Sequence, residues 1–458
     1  MPYSAQFLAP IIKSYDIRGL VDSEINESFC RDVGIAFANL VRASEIVVGF
    51  DMRPSSQSLV RAFSEGVQAT GTDLINIGLS ATDQLYFATG VLDIPGAMFT
   101  ASHNPASYHG IKLARAGAKP IGALTGLEEI RDALINGNLH TSIQRGSERS
   151  LEMLHDYGEY LRNLVSCSAI RRLRIVVDAG NGMAGHTVPV VLEPLNLEII
   201  PMYFELDGTF PNHDANPLDF TTLKDLQARV IAEQADLGLG FDGDADRCFL
   251  VDERGDIVEP SLLTALIAES ELKRSPGATI IYSLIASRVV PEIIESNGGT
   301  ASRSRVGHSY MKQQMAETGA VFGGEHSGHF YFRDFWSADS GMLAALHALS
   351  ALGNSTPDTT FSSLLERYRK YFGSGEINSQ VSNPQDTIEK VAHYFAGRGT
   401  LDRLDGLTIS SEASDASPTW WLNVRPSNTE PLLRLNVEAD SHALMCSIRD
   451  EALGVIRQ

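Results

Sequence analysis

The sequence predicts a multidomain α/β protein, and three observations carry that reading. Three β-branched apolar runs, at 45–50, 174–178 and 279–282, are each followed by a polar or glycine-containing turn and then a helical pattern, the alternation that builds α/β layers. At 458 residues the chain is long enough for about three domains of roughly 150 residues. The carboxy-terminal part reads differently, as a small α+β domain: a helix over 386–395, strands around 407–409, 420–424 and 432–437, and a closing helix capped by Ser441.

In chain order, Thr125 introduces a helix over 127–135 that stops at Gly137, and the polar stretch 138–150 follows. This sets a first domain at 1–148. The turn Asp252-Glu253-Arg254-Gly255 closes a second at 149–253, and a helix over 361–369 before the linker Gly373-Ser374-Gly375 divides 254–366 from 367–458. The most apolar window, 342–352, contains His347 and Ser350 and falls short of the ~20 residues a bilayer crossing needs, so it is expected to be a buried helix.

Composition narrows the partners. With 57 Asp+Glu against 37 Lys+Arg the formal charge is −20, which disfavours nucleic acid or an anionic membrane as partner. An anionic ligand must then be met by a local basic site. The amino end carries no targeting pattern, and four scattered cysteines, Cys30, Cys167, Cys248 and Cys446, fit a reducing compartment, the cytoplasm by default.

Four loops bear chemistry. In Thr100-Ala101-Ser102-His103-Asn104-Pro105, after an apolar strand, Ser102 is an exposed nucleophile or phosphate carrier, or the incidental serine of an Asn-Pro turn. No Gly-x-Ser-x-Gly elbow supports a hydrolase. Asp242-Gly243-Asp244-Ala245-Asp246-Arg247 presents three alternating carboxylates suited to one hard divalent cation. A calcium loop is the rival, with Glu253 at its twelfth position, but Arg247 stands where that loop needs glycine and strands flank it. Gly323-Gly324-Glu325-His326-Ser327-Gly328-His329 suits sugar hydroxyls, with a zinc site on His326 and His329 as the weaker reading. Arg425-Pro426-Ser427-Asn428-Thr429-Glu430-Pro431 offers a forked cation and several donors to a phosphate, or is a plain hairpin turn. A literal G-x-G-x-x-G over 180–185, with Glu205 beyond it, suggests a nicotinamide-dependent dehydrogenase, although Pro189 and Pro194 shorten the helix that should follow.

Together with Tyr15-Asp16-Ile17-Arg18-Gly19, and in this order, these loops resemble the α-D-phosphohexomutase family, the phosphomannomutases and phosphoglucomutases. The resemblance spans nearly the whole chain. It implies three similar α/β domains with mixed sheets and a smaller α+β domain around a central cleft, in a monomer or weak homodimer. It implies that Ser102 carries phosphate, that Asp242, Asp244 and Asp246 with the phosphorylated Ser102 hold Mg²⁺, and that a hexose 1,6-bisphosphate acts as intermediate and activator. Arg18, Tyr15, His103 and Arg247 are then expected near the transferring phosphoryl group, and Lys112 and His329 as acid and base, with Lys112 preferred. Glu325 and Ser327, with Gly307 and His308 nearby, would read sugar hydroxyls, and Arg425, Ser427, Asn428 and Thr429 would grip the phosphate that is not reacting.

The sequence departs from the family pattern at three places: His109 where Asn is usual, Asp83 where Pro often follows Thr82, and the pair Ile285 and Arg288 where some members have a lysine. Asn428 and His326 look more like the phosphomannomutase and phosphoglucomutase members than the glucosamine-phosphate branch. Mannose phosphate is the favoured substrate and glucose phosphate, or both, the alternative. A sugar-phosphate binder without catalysis would need a damaged Ser102 or aspartate loop, and both are intact.

Overall fold

The computed structural model describes residues 2–411, 419–427 and 432–458. Its first three sheets repeat one plan. In the first, Glu45–Phe50 lies between Asp73–Leu79 and Gly96–Phe99, both parallel to it, and Tyr108–Arg115 joins antiparallel beside Gly96–Phe99. In the second, Leu173–Asp178 lies between Leu197–Met202 and Leu237–Phe241, with Cys248–Asp252 antiparallel beyond. In the third, Thr279–Ser283 lies between Thr300–Ser304 and Phe322–Gly324, with Phe330–Phe332 antiparallel beyond. Parallel neighbours need a crossover, and the helices Ser56–Ala69, Ala184–Leu192 and Val289–Ser296 supply it.

This plan positions the chemistry. In each unit the chain leaves the carboxyl end of the third parallel strand and turns back as the antiparallel fourth. The three reversals carry Ser102, the three aspartates and Glu325–His329, at the strand ends where open α/β sheets bind ligands. The first sheet is extended by Ile17–Leu20, which pairs Arg18 with Gly110, and by Glu148–Ser150 along Asp73–Leu79.

The fourth sheet is antiparallel, with Leu407–Ser410, Trp420–Pro426 and Leu432–Ala439 in register and Ile377–Gln380 on the last. Pro384–Tyr394 starts two residues before the expected helix because the Asn383 side chain accepts from the Gln385 and Asp386 amides and Pro384 occupies the first turn. Ser441 stands at the N-cap of His442–Ile456 but makes no side-chain capping bond. The helix expected over 361–369 ends at Leu365 and tightens into a 3₁₀ turn. The apolar window is a buried helix, Gly341–Gly353, capped by Ser340, and among the described residues no helix is long and apolar enough to cross a membrane.

One hydrophobic core fuses the three α/β units: Val47 and Met98 of the first, Ile175 and Leu239 of the second, and Phe322 and Leu346 of the third belong to a single cluster. The carboxy-terminal domain has its own, around Val391, Trp420, Val424 and Ile448. It meets the third unit through Leu284, Ile285 and Trp421. Glu438 reinforces that contact, accepting from the Arg288 amide at 2.9 Å and the Trp421 indole at 2.8 Å. Ile285 and Arg288 thus serve this interface.

Asp83 ties the three α/β units together. Its Oδ2 accepts from Tyr157 of the second unit at 2.7 Å and from Ser340 of the third at 2.6 Å. Burial, opposed by these two hydroxyls and assisted by Asp246 and Asp339, pushes the carboxyl up to about 7. Because the folded value lies above the unfolded one, ionised Asp83 costs stability: the cost is absent below pH ~4, grows to about pH 7, and is constant beyond. Thermal melts of Asp83→Asn and wild type are expected to show the variant's relative Tm rising by several degrees between pH 4 and 7 and staying level above. A difference independent of pH would contradict this.

Candidate active site

Ser102 sits at the first reversal in a left-handed conformation, φ 50°, and is 4% exposed. Its amide donates to Thr100 Oγ1 at 2.9 Å, its hydroxyl donates to Asp242 Oδ2 at 2.9 Å, and His103 Nδ1 lies 3.2 Å from the same Oγ. A nucleophile from one sheet therefore touches the acidic loop of the next. That approach is close enough that a Cβ on Gly243 would fall 2.5 Å from the Ser102 carbonyl oxygen.

The acidic loop is buried and arranged around cations. Arg247 closes on Asp242 through its backbone amide at 3.1 Å and its Nε at 2.8 Å. Lys112, opposite Met98 in the sheet, reaches Asp244 Oδ2 at 2.7 Å and Asp246 Oδ2 at 2.6 Å, and Thr82 donates to Asp244 Oδ2 at 2.6 Å. Among the described residues, Asp244 Oδ1 and Asp246 Oδ1 are buried without a hydrogen-bond partner. The three aspartates offer ligand atoms within 4.8 Å of one another. An all-oxygen set with orphaned buried acceptors fits a hard divalent cation.

The electrostatics follow from burial and pairing. Burial pushes Asp242 up, against the pull of Arg247. Burial works the same way on Asp244, but Lys112, Thr82 and Arg247 together outweigh it and hold that carboxylate low. Burial would strip the proton from Lys112, yet Asp244 and Asp246 together hold its ammonium well above the usual range. Burial, then Arg247 and Arg18, keeps His103 well below the ordinary imidazole value, so it is neutral at pH 7.

A cavity of about 770 Å³ opens between the second, third and fourth domains, with Glu325, Ser327, Phe249, Arg425 and Arg434 in its walls. Glu325 is held by the Gly307 amide at 2.9 Å and the Tyr331 hydroxyl at 2.6 Å. The same loop ends at His329, whose Nε2 is 3.9 Å from Asp246 and 3.8 Å from Asp339, so it joins the cavity to the acidic cluster. Opposite, Arg425 and Arg434 are direct cross-strand partners. Like charges in that register repel, and Glu376 bridges them, at 2.6 Å from Arg425 and 3.1 Å from Arg434. Arg434 also donates to Ser427 at 3.1 Å.

The chain matches the domains described as phosphoglucomutase/phosphomannomutase alpha/beta/alpha domain I over residues 9–138, II over 155–255 and III over 259–371, and the C-terminal domain over 376–455. It belongs to the phosphoglucomutase/phosphomannomutase family. A phosphomannomutase of Escherichia coli is 38% identical, over 97% of this chain and 98% of its own length. A protein of Xanthomonas campestris named for phosphohexose mutases is also 38% identical, with the same coverage. A solved family member from Burkholderia thailandensis superposes with a TM-score of 0.88 at 31% identity, covering 98% of both chains.

In this phosphohexomutase Ser102, His103, Lys112, Asp242, Asp244, Asp246, Arg247 and His329 form one cluster. Arg18 joins it by donating to Asn104 of the serine loop, while also pairing with Asp16. Tyr15 packs against Gly307, where an added Cβ would meet its hydroxyl at 2.8 Å. Asn428 and Thr429 lie outside the described residues, as does the side chain of His308. The rival readings lose their support. Glu253 turns away from the aspartates to bond the Ser362 amide at 3.0 Å, and His329 groups with Asp246 and Asp339 in place of His326. Gly182 of the G-x-G-x-x-G turn packs on the aspartate loop, its missing Cβ 2.8 Å from Gly243 O, a structural use of the glycine.

Sequence reasoning missed Arg53, Thr82, Glu376, Arg434 and the buried Lys312–Asp339 pair (2.6 Å). Only Arg434 left a trace, as a second arginine across the hairpin from Arg425. Gly243→Ala is expected to push the serine loop off the aspartates, lowering kcat for hexose-phosphate interconversion by about 10²-fold with little change in Tm. Steady-state kinetics and melting curves check both halves.

Proposed function

We propose that this chain interconverts hexose 6-phosphate and hexose 1-phosphate, mannose phosphate foremost, by passing a phosphoryl group through Ser102 and a hexose 1,6-bisphosphate. The observation that carries the reading is the Ser102 hydroxyl on Asp242, at the meeting of two sheets. The name phosphomannomutase borne by relatives at 36–38% identity favours mannose, with glucose phosphate, or both, as the alternative.

The residues divide the work. Ser102 carries the phosphoryl group, and Arg247, Arg18 and Lys112 offset the charge gathered there. Asp242, Asp244 and Asp246, with an oxygen of the phosphorylated serine, would hold Mg²⁺, which supplies Lewis-acid stabilisation to the phosphoryl oxygens when bound. Lys112, seated on Asp244 and Asp246, and His329, beside Asp246, divide the general acid and base roles at the serine oxygen and the attacking sugar hydroxyl, with Lys112 the preferred of the two. His103, neutral beside Oγ, accepts or donates one hydrogen bond there without adding charge. Glu325 and Ser327 read hydroxyls shared by both orientations of the sugar, with Gly307 setting Glu325 and with His308, Asn428 and Thr429 assigned by the family motif alone.

Arg425, Arg434 and Ser427 grip the phosphate that is not reacting. The bisphosphate turns over and presents its other end to Ser102, and added hexose 1,6-bisphosphate serves as activator by restoring phosphoserine. The family resemblance alone suggests a monomer or weak homodimer, and the reducing environment suggested by four free cysteines suits the cytoplasm.

A coupled assay with Mg²⁺ and trace bisphosphate tests the reading. Ser102→Ala is expected to abolish turnover of mannose 1-phosphate and glucose 1-phosphate alike, and wild-type turnover in that variant would defeat the phosphoserine route. Arg434→Gln is expected to raise KM about tenfold, roughly the loss of one charge-assisted hydrogen bond, and equally for the 1- and 6-phosphates. A change confined to one isomer would mean that the two orientations do not share a grip.

A further inference from the structure

The serine loop is organised from behind by one guanidinium. All five N–H donors of Arg53 are used. Nε donates to Asp51 Oδ2 at 3.2 Å, Nη1 to the carbonyls of Pro105 at 2.9 Å and Tyr108 at 3.1 Å, and Nη2 to the carbonyls of Ser102 at 3.0 Å and Asn104 at 2.6 Å. Four carbonyls of one loop converge on a single side chain, and the first belongs to Ser102 itself.

The clamp is itself clamped. The Arg53 and Asp51 side chains are fully buried. Asp51 Oδ1 accepts from the Arg53 amide at 3.0 Å and from the Ser56 hydroxyl at 2.7 Å, and Ser56 Oγ lies 2.8 Å from His109 Nε2. His109, the departure from the usual Asn, therefore ties the far end of the loop to the same network. The second unit closes over it: the Phe210 ring lies 5.1 Å from the guanidinium, and a Cβ on Gly208 would fall 2.5 Å from Arg53 Cα.

A left-handed backbone is disfavoured at a serine and persists only where its surroundings enforce it. We propose that Arg53 is a positioning residue for Ser102: by holding the four loop carbonyls it enforces the conformation that brings Oγ onto Asp242. It touches no reacting atom in this role. The proposal rests on Ser102 as phosphate carrier. The fork, more than the charge, is what the loop needs, because an ammonium offers three donors from one point and cannot span four carbonyls.

Arg53→Lys separates fork from charge. Expected are a kcat about 10²-fold lower, KM and Mg²⁺ affinity within threefold of wild type, slower uptake of phosphate on Ser102 from hexose 1,6-bisphosphate by intact mass, and faster amide exchange confined to residues 100–110. A kcat within threefold of wild type overturns the proposal, and so does a loss accompanied by faster exchange throughout residues 9–138, which marks a merely structural role. Should Arg53→Lys fail to fold, Asp51→Asn keeps the guanidinium and removes its anchor. It is then expected to lower kcat at least tenfold at unchanged KM, and a kcat within threefold overturns the proposal equally. Ser102→Ala, run alongside, keeps the two levels apart: turnover in that variant overturns the phosphoserine reading and this proposal with it. Loss in Ser102→Ala beside full activity in Arg53→Lys overturns the positioning role alone.

Discussion

The contact on which the rest depends is the one between the Ser102 loop and the aspartate loop, made backbone to backbone at Gly243 and side chain to side chain at Asp242. A hydroxyl can meet three buried carboxylates only if two sheets deliver their reversals to the same point, and that requires domains that do not drift. The single core shared by the three α/β units supplies the rigidity. Asp83, Tyr157 and Ser340 add a polar tie at the junction, and Thr82, one residue away, reaches Asp244 directly. The scaffold and the site are joined through consecutive residues of one helix.

The same logic explains how a chain with a formal charge of −20 handles an anion. A few of its cations are placed inside, where an anion would meet them. Lys112 and Arg247 sit within the aspartates, Arg425 and Arg434 face each other across a hairpin, and Glu376 fills the place between that pair. A carboxylate bridging two cross-strand arginines relieves their repulsion. A phosphate dianion can relieve it too, with more acceptor oxygens and more charge. On the proposed function, binding is an exchange of one anion for another, which would keep the grip reversible, as a bisphosphate that turns over in the cleft would require.

How much of this was legible in the sequence follows from what each residue needs. Ser102, the three aspartates, Glu325 and Arg425 were readable because their chemistry demands those residue types in local order, and the three-fold α/β plan because strand and helix periodicities are local. Arg53, Glu376 and Arg434 were not, because their meaning lies in contacts across sheets or between strands that no short window contains. Tyr15 and Arg18 were read together from one motif; in the fold Arg18, on the strand Ile17–Leu20, pairs with Gly110 beside the serine loop, while Tyr15, in the bend before that strand, meets Gly307. Asp83 and His109 stood out only as departures, and their roles emerged once Ser340 and Ser56 were beside them.

The three reversals share one topological position yet differ in chemistry: one presents Ser102, one the three aspartates and one the loop Glu325–His329. That division follows from the geometry. Three sheets built alike and fused through one core must point their third strands toward a common space, so each reversal contributes one face of a site that none could enclose alone. What distinguishes the first is the source of its support. The first two reversals each hold a left-handed non-glycine residue, Ser102 (φ 50°) and Ala245 (φ 59°), but the aspartate loop is held by its own cations and the Glu325 loop by neighbouring hydrogen bonds, whereas the Ser102 loop relies on a separate agent. The interior guanidinium of Arg53 supplies that hold from the side opposite the chemistry, so the hydroxyl is fixed without any group being added to the crowded face where phosphate must pass.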